Sequence, residues 1–288
     1  DLSFASAYYN QTASLAYGDK VIGNGALNGG KLAVDLSEIA EKGELTLVAS
    51  AEKDGVYYSF DVNVLLATKI IRNAADMAAV RITVEQLQNY TPIKGYYILG
   101  NDIDFANAQL QTDFGNQLSK LTGQYWNQNQ GFRGTFDGMN HKITNVRVGQ
   151  GGIFGFVGEG AVIKNVDFEG VSYVGAYCGS LFGFSVINAD LQNINVSVSS
   201  YKAENSQGFF NARFTAGCKY KNVKINAETH DVYALFGVEV KSGTYRDVEI
   251  KVKSYTVFAA GGDQVDKTDK SVVPAGITVI KTDTPVTE

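Results

Sequence analysis

Several residue types are scarce in this chain, and each scarcity excludes a class of protein. The 288 residues include two cysteines, three prolines, two methionines and one tryptophan. Two cysteines cannot form a disulfide scaffold or a four-cysteine zinc site. Cys178 and Cys218 could pair only if the fold brought their Cα atoms within about 7 Å. The simpler expectation is that both are small buried apolar residues.

Long runs of apolar or basic residues are also missing. The longest apolar runs, such as residues 64–67, are far shorter than the roughly 20 residues that cross a bilayer, so we expect no membrane insertion. The net charge is −5 and the lysines and arginines do not cluster, which argues against nucleic acid as a partner. The chain opens on Asp1 with no leader, which is typical of a processed form or of part of a longer protein.

The composition that remains favours a folded, strand-rich protein. Phe and Tyr number 16 each, and aromatic side chains fit half-buried sheets. Residues 43–64 alternate between apolar and polar around the turn Asp54-Gly55, which predicts a β-hairpin. We expect residues 1–67 to form a small Ig-like β-sandwich, short for a complete one. Residues 68–92 are expected to form a linker with a short helix capped by Asn73.

Two short motifs recur through the second half of the chain. The first is Phe followed by Gly, and its phenylalanines are Phe154, Phe182, Phe210 and Phe236. The second is an apolar or aromatic residue, any residue, Asn and then Val or Ile, and its members are Asn145, Asn165, Asn193 and Asn222, with Asp247 as a fifth. Successive members of either series are 20 to 29 residues apart.

Repeats of this length without helical periodicity predict a parallel β-solenoid in which each repeat is one coil. Stacked coils place equivalent residues about 4.8 Å apart, so the Phe series is expected to stack in the interior and the Asn series to form an amide ladder at a corner. We expect an all-β fold with about six or seven coils over residues 93–288. The helix at 73–80 would cap one end and the C-terminal tail the other, and loops at one corner would carry any function.

Three segments of this region together resemble the GLUG-type repeats of bacterial surface proteins. They are Gly-Asn-Asp-Ile-Asp-Phe at 100–105, Phe-Arg-Gly-Thr-Phe-Asp-Gly-Met-Asn-His-Lys-Ile at 132–143, and the Phe-Gly and Asn motifs within 152–166. The resemblance covers roughly residues 73–260, and the Phe210 coil departs from it because Asn211 stands where Gly is expected. It implies a right-handed parallel β-helix on a secreted or wall-attached protein, often beside Ig-like modules, with no catalytic residues to transfer.

Three carboxylates are candidates for a metal site. Asp102 and Asp104 are two residues apart on a predicted strand and therefore share a face, and Asp137 could join them from the next coil. Ca²⁺ prefers oxygen ligands but takes six to eight of them. The alternative is that these carboxylates cap turns or pair with Arg133 or Lys142. We therefore expect no resident cofactor, with calcium as the candidate ion.

A polysaccharide-acting enzyme on this fold would need a base close to such carboxylates or to calcium. Arg133, Lys142 and Arg213 are candidates by residue type alone, and His141 and His230 belong to no catalytic motif. The sequence contains no nucleophile elbow, phosphate loop or dinucleotide fingerprint. A lyase or hydrolase therefore rests on analogy of fold.

Tyr125 and Trp126 lie in a stretch rich in Asn and Gln. Exposed aromatic rings with amide neighbours suit sugar rings, which stack on the face and hydrogen-bond at the edge. The alternative is that Trp126 closes the end or side of the core. A second aromatic strip is predicted from Tyr173, Tyr177, Tyr201 and Tyr233.

The leading hypothesis is a non-catalytic extracellular module of the bacterial surface for adhesion or glycan binding. Its expected partner is a polysaccharide, or a host or cell-surface protein, and we expect a monomer. The alternatives are a structural spacer of a larger surface protein and a β-helix polysaccharide lyase or hydrolase.

Overall fold

A computed structural model describes residues 2–3, 11–80, 89, 91–105, 131–148, 153–173, 182–183, 185–201, 209–210, 214–232, 235, 239–240, 242–255, 257–258, 264–265 and 273–282. The described residues are nearly all in β-structure, with one helix of five residues. The chain divides into two compact units, Asp1–Thr68 and Lys69–Glu288. No helix in the described ranges is long and apolar enough to span a membrane.

The first unit contains a four-stranded antiparallel sheet in the order β3-β2-β5-β6. Its strands are β2 (Thr12–Tyr17), β3 (Lys20–Ala26), β5 (Gly43–Lys53) and β6 (Val56–Leu66). A short antiparallel pair joins β1 (Leu2–Ser3) to β4 (Lys31–Leu32). Six described strands are fewer than the seven of the smaller Ig-like sandwich, so the strands by themselves do not establish an Ig-like module.

The hairpin of β5 and β6 follows from the alternating sequence. The two strands pair without a break from Gly43 opposite Leu66 to Lys53 opposite Val56. The turn residues Asp54 and Gly55 have φ of 52° and 76°, as a two-residue hairpin turn requires. The hydrophobic core of the unit lies on the face of β5 that carries Leu45, Leu47, Ala49 and Ala51.

The second unit is a parallel β-solenoid. Its main sheet has ten strands, with the path β22-β19-β17-β15-β13-β10-β8-β7. These strands are β7 (Lys69–Ile71), β8 (Tyr96–Leu99), β10 (Thr135–Thr144), β13 (Val162–Tyr173), β15 (Asp190–Tyr201), β17 (Cys218–Val232), β19 (Gly243–Tyr255) and β22 (Ile277–Lys281). Two further strands join it at the side, β9 (Ile103–Asp104) on β10 and β11 (Arg147–Val148) on β13.

A second parallel sheet closes the coils on the opposite side. It runs in the order β12-β14-β16-β18, with β12 (Phe156–Val157), β14 (Ser185–Ile187), β16 (Phe214–Ala216) and β18 (Glu239–Val240). A separate antiparallel pair is formed by β20 (Val257–Phe258) and β21 (Gln264–Val265). The strands make about five coils, fewer than the six or seven expected.

The long strands bend at two places in each coil, and we call these the first and second corners. At the first corner one residue adopts a left-handed backbone, and the residues are Asn165, Asn193, Asn222 and Asp247, with φ between 51° and 55°. The second corner lies five residues further on, at Asn145 and Gly170, with φ of 58° and 67°. Between the two corners runs a short strip of parallel strands.

The core is continuous through the coils because equivalent apolar residues point inward at every level. One such row, in register across five strands, is Phe136, Ile163, Leu191, Tyr220 and Tyr245. The rings of Tyr220 and Tyr245 are stacked with centroids 5.2 Å apart. Burial of such rows is the main favourable contribution to folding of a solenoid, since no single coil can cover its own interior.

The helix lies at the N-terminal end of this core. α1 (Ala74–Ala78) follows Asn73, whose side-chain oxygen accepts a hydrogen bond from the backbone N–H of Asp76 at 2.9 Å. Met77 is fully buried in the solenoid core beside Ile71 and Phe132. The helix therefore covers the first coil. At the other end β22 adds a last strand to β19.

Candidate functional site

The three carboxylates considered for a metal site are held by three different sets of neighbours. Asp102 Oδ1 accepts a hydrogen bond from the backbone N–H of Lys142 and lies 3.0 Å from His141 Nδ1. These contacts hold the pKa of Asp102 below its ordinary value. Asp104 Oδ1 accepts a hydrogen bond of 2.8 Å from the amide of Asn145.

Asp137 is buried and sits at the start of the amide ladder. It accepts hydrogen bonds from Tyr96 Oη at 3.0 Å, the backbone N–H of Met139 at 2.9 Å and Asn165 Nδ2 at 3.1 Å. The ammonium of Lys164 lies 3.2 Å from its Oδ2. Burial alone would raise the pKa of Asp137, but these hydrogen bonds and Lys164 outweigh burial and lower it. Asp137 is thus a structural anion with its acceptor capacity used inside the fold.

The candidate metal and catalytic residues do not meet in one place. The described residues contain no group of three or more His, Cys, Asp or Glu side chains placed to hold a metal ion. Of the bases considered, Lys142 lies 2.6 Å from Glu169, Arg133 packs beside Gly158, and Arg213 lies outside the described residues. His230 is on β17 and His141 is on β10, and β13 and β15 lie between these two strands in the sheet.

The aromatic residues proposed for sugar binding divide into two groups. Tyr125, Trp126, Tyr177 and Tyr233 lie outside the described residues. Tyr173 is buried and its ring packs on Tyr201 and Phe209 at centroid distances of 5.2 and 5.3 Å. Tyr173 and Tyr201 therefore belong to the core and not to an exposed aromatic strip, because the strand after the second corner turns these positions inward.

The asparagines at the first corner form a directional ladder. Asn193 Nδ2 donates to Asn165 Oδ1 at 2.9 Å, and Asn222 Nδ2 donates to Asn193 Oδ1 at 3.1 Å. Asn165 in turn donates to Asp137, so each amide points its N–H toward the preceding coil. Asp247 occupies the same corner in the next coil, but its carboxylate has no proton with which to continue the series.

Asn145 lies outside this ladder, although the sequence motif placed it there. Its backbone N–H donates to Glu169 O and its side chain contacts Asp104, so it is a second-corner residue beside Gly170. In the first coil three residues, 138–140, stand opposite Asn165 alone. The spacing from Asn145 to Asn165 is 20, against 28, 29 and 25 for the later pairs, and this difference was the signal in the sequence.

The phenylalanines of the other motif face the interior. Phe154, Phe182 and Phe210 are buried, and the backbone N–H of Phe154 donates to Phe182 O in the next coil. Phe154 also packs on Phe132 and Phe136, and Phe210 packs on Tyr220. Phe236 lies outside the described residues, as does Cys178. Cys218 carries a free, buried thiol that donates to Val186 O, and burial raises its pKa.

A polar groove lies on the strip between the two corners, and sequence reasoning did not identify it. Its accessible volume is about 360 Å³ and it crosses four strands, β13, β15, β17 and β19. Its outward side chains stand two and four residues after each first-corner residue; they are Asp167, Glu169, Asn195, Ser197, Lys224, Asn226, Glu249 and Lys251. The sequence signal is that both positions are polar in every repeat while the residues between them are apolar.

Side chains of opposite charge alternate along this groove. Lys142, at its edge, lies 2.6 Å from Glu169, which raises the pKa of the lysine. Asn195 Nδ2 donates to Asp167 Oδ1 at 2.7 Å, and Lys251 lies 3.8 Å from Glu249. The groove lining carries the three carboxylates of Asp167, Glu169 and Glu249 and the two ammonium groups of Lys224 and Lys251, and Lys142 adds a third ammonium at the edge. A surface of this kind presents hydrogen-bond donors and acceptors together with charges of both signs.

Comparisons of the chain with family models, curated proteins and solved structures find no match. The functional assignment therefore rests on the residues and their geometry.

Proposed function

We propose that this chain is a non-catalytic extracellular module of the bacterial surface that binds an uncharged glycan along the polar groove. The observation that carries the proposal is the mixture of positive and negative side chains in the groove, with no patch of one sign. Long-range attraction to a polyanion or a polycation needs a field of one sign, whereas sugar hydroxyls need closely spaced donors and acceptors. Asn195, Asn226 and Ser197 supply both, and carboxylates and ammonium groups flank them.

The regular spacing of the groove suits an extended ligand. Equivalent side chains on neighbouring parallel strands repeat about every 4.8 Å, and four strands contribute to the groove. A linear polymer laid along the solenoid axis would meet polar side chains at each coil. A compact ligand would use only part of the groove.

The same proposal includes the finer assignment of the fold as a right-handed, GLUG-type β-helix that follows an Ig-like module. It is supported by the Phe-Gly and Asn motifs and by the antiparallel hairpin in the first unit. Proteins with such repeats are secreted or attached to the wall, which is the basis for the extracellular location.

The polysaccharide lyase or hydrolase receives no support from the described residues. The carboxylates of Asp102 and Asp104 accept hydrogen bonds from Lys142 and Asn145. Asp137 is buried within the ladder. An enzyme of this class needs two groups that flank one scissile bond.

A rigid spacer is the second candidate function. It is favoured by the continuous core and by the amide ladder, both of which stiffen the solenoid along its axis. A spacer needs no ligand, so it predicts that the polar groove stays empty.

Binding to a panel of neutral, anionic and cationic polysaccharides, with and without calcium, tests these proposals. We expect binding to neutral members only, and a loss of affinity of at least about tenfold in Asn195→Ala and Lys224→Ala, since each removes donors from the groove. Asn24→Ala and Lys221→Ala are matched controls at exposed positions outside the groove. Loss of binding in Trp126→Ala alone would move the site away from the groove, and no binding to any polysaccharide would favour the spacer.

A further inference from the structure

The first unit exposes an apolar edge strand, which is uncommon in a monomeric protein. Val56, Tyr57, Tyr58 and Phe60 on β6 are 50%, 76%, 49% and 47% exposed. Single exposed apolar residues are ordinary, but Val56, Tyr58 and Phe60 form a row on one face of the strand, and Tyr57 is exposed on the other face. Long apolar edge strands that lack charges tend to pair with another strand.

β6 is the terminal strand of its sheet. In the order β3-β2-β5-β6 it pairs with β5 on one side, and no other described strand pairs with it. Tyr58 and Phe60 stand opposite Ala51 and Ala49 of β5, so they lie on the same face as buried residues of the core. The core-facing side of the sheet thus continues to an edge where large rings remain half exposed.

The sequence of this edge is complementary to itself. If two copies of β6 pair antiparallel about a two-fold axis at Ser59, Tyr58 of each chain stands opposite Phe60 of the other. On the other face Tyr57 stands opposite Asp61, and at the ends Val56 stands opposite Val62. Aromatic pairs and pairs of β-branched residues stabilise antiparallel strands, and no two like charges are directly opposed between residues 55 and 63.

We propose that β6 is the interface of a symmetric homodimer, in which two four-stranded sheets join edge to edge into one eight-stranded antiparallel sheet. The pairing is isologous, so it closes on two chains and leaves no free patch for a third. It keeps apolar side chains together on the core face, whereas a shift by one residue would place rings against polar groups. The proposed interface belongs to the first unit and the groove to the second, and the proposed dimer differs from the monomer expected from the sequence.

The oligomeric state of the full chain in solution tests the proposal. We expect light scattering over a wide range of concentration to give the mass of two chains. Ser59→Lys would place two ammonium groups opposite each other at the axis and weaken the dimer by at least about tenfold. Thr46→Lys is the matched control, because Thr46 lies on the same face of the sheet but on the inner strand β5.

A cysteine at the axis gives a second readout that does not depend on weakening the protein. Ser59→Cys would bring two thiols within disulfide distance across the paired strands, and mild oxidation should cross-link the two chains. Thr46→Cys should not cross-link. A wild-type chain that is monomeric at every concentration would overturn the proposal, and so would a dimer that Ser59→Lys leaves intact and Ser59→Cys does not cross-link.

Discussion

The two corners of the solenoid perform the same geometrical task with different residues. At the first corner Asn165, Asn193 and Asn222 repeat coil after coil, each with a left-handed backbone and each hydrogen-bonded to the coil before it. At the second corner the residues differ from coil to coil. Asn145 and Gly170 have a left-handed backbone, the hydroxyls of Ser197 and Ser199 hydrogen-bond to the backbone of Gly170, and residues 228–230 stand opposite Lys253 alone.

The difference shows when a repeated residue is needed. Gly and Asn both adopt a left-handed backbone. This requirement alone therefore does not determine which of the two residues each coil uses. A ladder of amides needs the same donor and acceptor at each level, and this requirement fixes the residue. Repetition in the sequence therefore marks contact between coils more than it marks the bend itself.

Asp137 begins the ladder, and its removal is the most severe test of the first corner. We expect Asp137→Asn to lower the free energy of unfolding by about 3 kcal/mol, because Lys164 loses an ion-pair partner and three hydrogen-bond donors lose an anionic acceptor. Asp102→Asn is the control, since this carboxylate is exposed and its loss should destabilise the protein much less. Urea unfolding measures both, and equal losses would contradict the role of Asp137.

The same substitution should change how stability depends on pH. The folded pKa of Asp137 lies below its ordinary value, so its contribution is complete above the unfolded pKa of about 3.9 and is lost as pH falls through the folded pKa. Wild type should lose stability in this acid range more steeply than Asp137→Asn. Parallel curves for the two proteins would show that Asp137 does not titrate with folding.

Gly138→Ala tests the crowded bend of the first coil and should cost about 2 to 3 kcal/mol. A Cβ there would lie 2.3 Å from Asn165 O and 2.8 Å from Val166 Cα, both backbone atoms of the next coil. Gly160→Ala is the control, because it has a positive φ but no neighbour within 4 Å. Thermal or urea unfolding should place Gly138→Ala well below Gly160→Ala.

Substitutions at Asn193 separate the backbone requirement from the ladder. We expect Asn193→Ala to cost about 2 kcal/mol, from strain of the left-handed backbone and loss of two amide hydrogen bonds. Asn193→Gly should cost about 1 kcal/mol, because glycine accepts the backbone but not the ladder. If the two variants were equally stable, the left-handed conformation would contribute nothing to the choice of residue.

Gly170 at the second corner should give the smallest effect. Gly170→Ala is expected to cost about 1 kcal/mol, since φ is positive and the new Cβ would lie 3.1 Å from Asn145 Oδ1, the end of a side chain. Gly170→Asn should cost less than Gly170→Ala, because Asn tolerates this conformation better. A loss as large as that of Gly138→Ala would mean that the two corners are equally constrained.

Parts of this architecture were predictable from the sequence. The hairpin of β5 and β6 follows from period-two alternation around Asp54-Gly55, and the parallel solenoid follows from the repeat length. The helix start at Asn73 follows from its capping side chain. Each of these signals depends on local geometry or on exact repetition, which a single sequence carries.

The rest depends on register, which the sequence does not contain. The bulge at residues 138–140 shifts the pairing of β10 with β13, so Asp137 takes the place that the motif assigned to Asn145. The polar groove is formed by side chains from four strands that lie 25 to 29 residues apart in sequence. Their polarity is visible in the sequence, but their common surface appears only when the coils are aligned.

The direction of the amide ladder determines which coils can be duplicated when the solenoid is lengthened. Each internal Asn donates one side-chain hydrogen bond to the preceding coil and accepts one from the following coil. A coil that carries Asn can therefore be duplicated between Asn165 and Asn222 with every side-chain donor still paired. Asp137 and Asp247 behave differently, because a carboxylate only accepts. Duplication of either aspartate coil into the interior would break the series, and lengthening of the chain by gene duplication is therefore confined to the middle coils.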